Sequence, residues 1–251
     1  MRRLRKGIVA VALAVTMILT GTAQPARADG AADKVVDLAL LAWNIYKSNA
    51  VTPDQAVKFA RLLIGAFAET ENAVIGHIDG IEARDVMGHL RSVSYALADY
   101  DVSREDNDWV QLYVRLTLAG YAGNAYEKYH GVSSTKAKDQ IGLAGQSIYS
   151  ALLTLATDAG LPSARATAEA DYRQLMTDIV KDLEPACGAV RVHGSSPPQY
   201  VHTCTAANGE KATKVTGDQT LDPADLESLK ATAAKDSAWL AAKRTLAGVT
   251  P

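Results

Sequence analysis

Residues 186–206, "ACGAVRVHGSSPPQYVHTCTA", decide the fold, because they interrupt what is otherwise a succession of helical patterns. Two short β-prone runs flank a centre of Gly, Ser and Pro, which is the composition of a hairpin. The only cysteines of the chain, Cys187 and Cys204, stand near its two ends. With these two facing each other in a disulfide, the antiparallel register pairs Val190 with Val201 and Val192 with Gln199, leaving Gly194 to Pro197 as the loop. Side chains alternate across a strand, so Val190, Val192 and Val201 share one face. Arg191, His193, Tyr200 and His202 share the disulfide face, where both histidines are expected to be exposed and unpaired. The disulfide and the periodicity agree on a single register.

Upstream of the hairpin the pattern is helical. Apolar residues at 35, 38, 41, 42 and 45 give 31–47 the one-sided spacing of an amphipathic helix, ended by Ser48-Asn49. At 52–55, "TPDQ" offers Thr52 as cap, Pro53 in the first helical position and Gln55 to complete a capping box. Helical character then continues to about residue 100, interrupted only by glycines at 65, 76, 80 and 88. Ser103, with Asp106 three residues on, is expected to cap a helix that runs through Trp109 and Tyr113 and stops at Gly131. Within it Ala119, Gly120 and Gly123 are small enough to admit another helix closely. Further helices are expected over 135–158, closed by Gly160 and Pro162, and over about 164–183.

Downstream, 205–220 reads as polar loop. Residues 221–248, "LDPADLESLKATAAKDSAWLAAKRTLAG", read as one closing helix with Asp222 as its cap and Pro223 first. The expected fold is therefore mainly α: a single-domain bundle of about six helices over residues 29–251, with a disulfide-closed hairpin at about 186–205 before the last helix.

The N-terminus has the form of a secretory signal peptide. Arg2, Arg3, Arg5 and Lys6 precede an uncharged apolar run from Ile8 to Leu19, and Ala26-Arg27-Ala28 supplies a small-residue cleavage pattern. The run is shorter than the roughly 20 residues of a membrane span. Removal of 1–28 leaves Asp29 first and predicts a secreted, extracellular protein. It also takes away five basic and no acidic residues, moving the formal charge from −2 to −7. An acidic surface of this kind argues against nucleic acid and anionic lipid as partners. A cysteine pair in an oxidising compartment is most simply a disulfide.

Candidate chemistry is sparse. The densest stretch is 76–90, "GHIDGIEARDVMGHL". At about 100° per residue, Val74, Ile75, Ile78 and Ile81 centre on one direction of a helix, while Val86, Leu90, Val93 and Leu97 centre roughly 100° further round. Glu82, Asp85 and His89 fall between, within an arc of about 60°. On one straight helix they would be buried together, and two carboxylates and an imidazole would make half of a carboxylate-bridged metal site. The second half has no counterpart elsewhere in the sequence. The other reading is a bend at the glycines, with each half keeping its own apolar stripe and the charges on a wet flank. "SSTK" at 133–136 matches Ser-x-x-Lys but is explained as a helix start, and no phosphate loop, dinucleotide fingerprint or metalloprotease motif is present. Trp109, Tyr113, Tyr121, Tyr126 and Tyr129 are candidates for a pocket lining, with Trp109 and Tyr113 expected in the core.

The first expectation is a secreted helical binding protein with an extracellular partner, a protein in the first instance, and with no cofactor. Its contact residues would be Arg191, Pro197, Pro198 and Tyr200 at the constrained hairpin tip. A membrane-active protein whose amphipathic helices rearrange is the alternative. A metal-dependent enzyme using Glu82, Asp85 and His89 is third.

Overall fold

In the computed structural model, which describes residues 30–74 and 78–249, ten α-helical segments and three strands follow in order. The expected signal segment at 1–28 lies outside the described residues. Helices α1 (Ala31–Ser48), α2 (Pro53–Val74), α3 (Gly80–Ala96) and the single turn α4 (Tyr100–Ser103) come first. Next, α5 (Asn107–Tyr113) passes through a π turn at Val114–Leu118 directly into α6 (Ala119–Gly131), so these two segments form one rod. Counted that way there are nine helices among the described residues, against the six expected. The chain continues as α7 (Thr135–Asp158), α8 (Pro162–Asp182), strands β1 (Ala186–Arg191), β2 (Tyr200–Thr205) and β3 (Lys211–Thr216), then α9 (Pro223–Ala233) and α10 (Ala238–Val249).

The axis of the bundle is α7, in which every residue from Asp139 to Thr157 is buried. Around it pack α1, α2, α3, α6, α8 and α10. Small residues permit this. A Cβ on Gly142 would lie 2.8 Å from the Cβ of Ala238 and 3.1 Å from Ile179 Cδ1, so α7, α8 and α10 approach more closely than a side chain there would allow. Three buried hydroxyls on α7 are satisfied within the helix: Ser147, Ser150 and Thr157 donate to the carbonyls four residues back. At its C-terminal end Asp158 accepts from Tyr100 Oη (2.6 Å) and from Arg104 Nε and Nη2 (3.0 and 2.6 Å), while Arg104 Nη2 also donates to the Val51 carbonyl (2.8 Å). One carboxylate thus ties α7 to α4 and to the loop before α2.

Local signals formed where the sequence placed them. The Thr52 N–H donates to Gln55 Oε1 at 2.9 Å and the Gln55 N–H to Thr52 Oγ1 at 3.3 Å, closing the capping box. Asp222 Oδ1 accepts from the N–H groups of Ala224 and Asp225, both at 2.9 Å. Residues 53–100 are not one straight helix. α2 ends at Val74 and α3 begins at Gly80, and each has its own buried stripe, Ala56, Phe59, Leu63 and Ala66 in the first and Ala83, Val86, Leu90 and Val93 in the second. Ile81, which a continuous helix would bury, is 77% exposed.

Three expectations are corrected. The cap before Trp109 is Asp106, whose Oδ1 accepts from the Trp109 N–H at 3.0 Å; Ser103 instead ends α4. The span 205–220 is not all loop, because β3 lies within it. Ala207-Asn208-Gly209 is a three-residue hairpin loop closed by the Ala206 N–H on the Glu210 carbonyl (2.9 Å), with Gly209 at the left-handed position such loops need (φ +89°). The closing helix is two helices. Ser237 starts α10, accepting from the Leu240 N–H at 3.4 Å, while Asp139 on α7 takes the Ala238 N–H (2.8 Å) and Asp236 takes the Ala31 N–H at the start of α1 (3.0 Å). Those long-range bonds stop α9 at residue 233.

The strands form an antiparallel sheet in the order β1-β2-β3. β1 and β2 pair Cys187 with Cys204, Val190 with Val201 and Arg191 with Tyr200, the register expected from the cysteines. The Cys187–Cys204 disulfide is formed, and the Ser196–Pro197 peptide bond is cis. One face of the sheet builds a small core of its own with α9, from Cys204, Ala212, Leu229 and Ala233.

Candidate functional site

The disulfide anchors the hairpin by its buried side. Cys204 and His202 face α9, whereas every residue of β1 is exposed. The expectation of an exposed, unpaired His202 is overturned: it is 5% exposed, and its Nε2 lies 2.9 Å from Thr216 Oγ1 and 3.0 Å from the Asp218 carbonyl. His193 is exposed. The face opposite the disulfide is the wet one. Across it the register aligns Val190, Val201 and Val215, with Val190 71% and Val215 57% exposed. Alternation made this row legible as one face; it gave no sign that α9 would cover the other.

At the loop end, Arg191 and Tyr200 stand directly opposite each other. The loop beyond them is already held. Ser195 Oγ donates to the Val192 carbonyl at 2.9 Å and accepts from the Gln199 N–H at 3.0 Å, and the Val192 N–H donates to the Gln199 carbonyl at 2.8 Å. Pro197 and Pro198 are exposed on its outside. Because Val192 bonds inward to β2, alternation turns the backbone N–H and C=O of Ala189 and Arg191 outward. β1 is an edge strand, so those groups form an open hydrogen-bonding row.

Glu82, Asp85 and His89 lie on α3. Glu82 and His89 are half-buried and Asp85 is exposed. His89 Nε2 is 3.8 Å from Asp85 Oδ1, and its ring stacks on Tyr121 of α6 with centroids 4.1 Å apart. Its Nδ1 is buried with no partner. Among the described residues no three His, Cys, Asp or Glu side chains are placed to hold a metal ion. The aromatics of α5 and α6 also disperse. Trp109 and Tyr113 stack on each other at 5.3 Å and are half-buried, a layer outside the core; Tyr126 meets His130, and buried Tyr129 carries Lys138 over its ring.

A perturbed carboxyl lies outside every candidate that the sequence offers. Burial pushes Asp139 up to about 7, opposed by the hydrogen bond from Ala238 and reinforced by the Glu210 and Asp236 carboxylates. Glu210, in the β2–β3 loop, is itself raised, first by burial and then by Asp236. No helix among the described residues is long and apolar enough to cross a membrane. No protein family, curated protein or solved structure matches the chain.

Proposed function

We propose that the protein acts outside the cell by binding a protein partner through the hairpin. An extended segment of the partner pairs with the free edge of β1, while Arg191 and Tyr200 anchor it and Pro197 and Pro198 form the rim. The observation that carries this reading is the Arg191–Tyr200 pair, set beside an open strand edge and a loop ordered before any contact is made. Ordering in advance lowers the entropy lost on association. Tyr and Arg are the residue types that concentrate binding energy at interfaces. Addition of a strand to an open edge gives main-chain affinity without requiring a pocket.

Capture from extracellular material tests it. Arg191→Ala combined with Tyr200→Ala is expected to weaken capture of the partner at least tenfold, as loss of about 2 kcal/mol implies. Ala189→Pro removes one outward N–H and leaves the bonds to β2 intact, so it is expected to abolish capture with little change in melting temperature. Capture that survives both variants overturns the assignment.

A further inference from the structure

Between α6 and α8 lies an open groove of about 280 Å³, floored by Tyr149 and Leu152 of α7. Its walls are short: Ala119 and Gly123 from α6, Thr167 and Ala168 from α8. No side chain among the described residues fills it, and a Cβ on Gly123 would meet none of their atoms within 4 Å. The α6 wall begins immediately after the π turn, whose last bond runs from the Ala119 N–H to the Val114 carbonyl. The extra residue of a π turn rotates everything that follows it, and such turns recur at functional sites.

Tyr149 is 1% exposed and its ring is held rigidly. It stacks on Tyr172 at 5.5 Å, which stacks in turn on Trp43 at 6.1 Å. The Tyr172 hydroxyl is paired with Ser150 at 3.1 Å. By contrast the Tyr149 hydroxyl has no hydrogen-bond partner among the described residues, though it lines the groove. Open to the groove, that oxygen is free to take a donor from a ligand in place of water. At the rim stands Asp171, which forms no ion pair with any described cation. Its carboxylate is near enough to help raise both Tyr149 and Tyr126 above the ordinary phenol range, burial being the larger cause in each, so the Tyr149 oxygen stays a neutral hydroxyl able to accept a hydrogen bond.

We propose that this groove binds a small organic cation, a primary ammonium on a short aryl or alkyl body. The ammonium pairs with the Asp171 carboxylate and donates to the Tyr149 oxygen, and the apolar body lies on Leu152 between Gly123 and Ala168. The volume lies just under the range typical of drug-sized ligands, so the occupant is fragment-sized. An unpaired carboxylate at the rim and a net negative chain exclude anions and favour the cation. This site is separate from the hairpin, and its test is independent of capture at the hairpin.

The experiment is calorimetric titration of the protein with benzylammonium at low salt, with benzyl alcohol as the neutral counterpart. Saturable binding at about 1 mM is expected, and at least tenfold weaker binding of the alcohol. Asp171→Asn is expected to weaken benzylammonium at least tenfold, and Tyr149→Phe by several-fold. Gly123→Leu fills the groove and is expected to abolish binding, while the gain in helix propensity keeps its melting temperature at or above wild type. Absence of saturable binding overturns the proposal, as does equal binding by the Asp171→Asn and Gly123→Leu variants. So does a dimer in light scattering that Gly123→Leu converts to monomer, since the groove would then seat a second copy of the chain.

Discussion

Asp139 is an acid held where water does not reach, with its Oδ1 on the Ala238 N–H and two further carboxylates nearby. Its value rises from an ordinary 3.8 to about 7, so between those limits the folded chain holds a proton the unfolded chain has lost. Stability from this group is present below pH 4 and is lost as pH rises to 7, by an amount on the order of a few kcal/mol. Asp139→Asn keeps the acceptor for Ala238 and removes the titration. Its urea midpoint, relative to wild type, should therefore climb from pH 4 to pH 8; a constant difference would show that Asp139 is not protonated in the fold. Asp158 is instead held by the Arg104 guanidinium and the Tyr100 hydroxyl. Asp158→Ala would leave the largely buried Arg104 guanidinium and the Tyr100 hydroxyl without it, and is expected to cost about 3–5 kcal/mol in equilibrium denaturation. A cost below 1 kcal/mol would mean that Arg104 finds solvent.

At the scale of elements, the sheet depends on the disulfide in a way the helices do not. Its core against α9 is small, and β1 is exposed throughout. Replacing Cys187 and Cys204 by Ser removes a constraint worth about 3 kcal/mol by chain entropy. The expected result is rapid amide exchange in β1 with α7 still protected; equal loss of protection in both would mean that sheet and bundle melt together. The same contrast explains what could be read from sequence. Caps at Thr52 and Asp222 and the register at Cys187 and Cys204 are written within a few residues of where they act, and all formed. β3 is also written locally, in Asn208-Gly209 followed by the β-prone Thr213, Val215 and Thr216, within a span whose polarity reads as loop. The division of α9 from α10 was not local at all: its causes, Asp139 and the Ala31 N–H, lie 99 and 205 residues from their partners. The groove is of this second kind. Ala119 and Gly123 are visible as small residues in the sequence, but only the arrangement of α6, α7 and α8 shows that no described residue covers them. Glu82, Asp85 and His89 would be buried together only on one straight helix; the bend at the glycines is the reading the fold follows, since α3 starts afresh at Gly80 and carries them on its flank.

Seen as a whole, the molecule is closed by its two ends. Asp236 accepts the first N–H of α1, Asp33 pairs with Arg244, and α1 packs along α10. Besides its sequence neighbour α2, α1 therefore packs on α7, a hundred residues on, and on α10, two hundred on. Contacts of such sequence separation form slowly, because the loop between them must close before they give anything back. Without α10, the side of α1 that faces it is bare and Asp33 loses Arg244. The two helices therefore act as a clasp: releasing α10 bares a whole side of α1, although the two lie some two hundred residues apart in sequence.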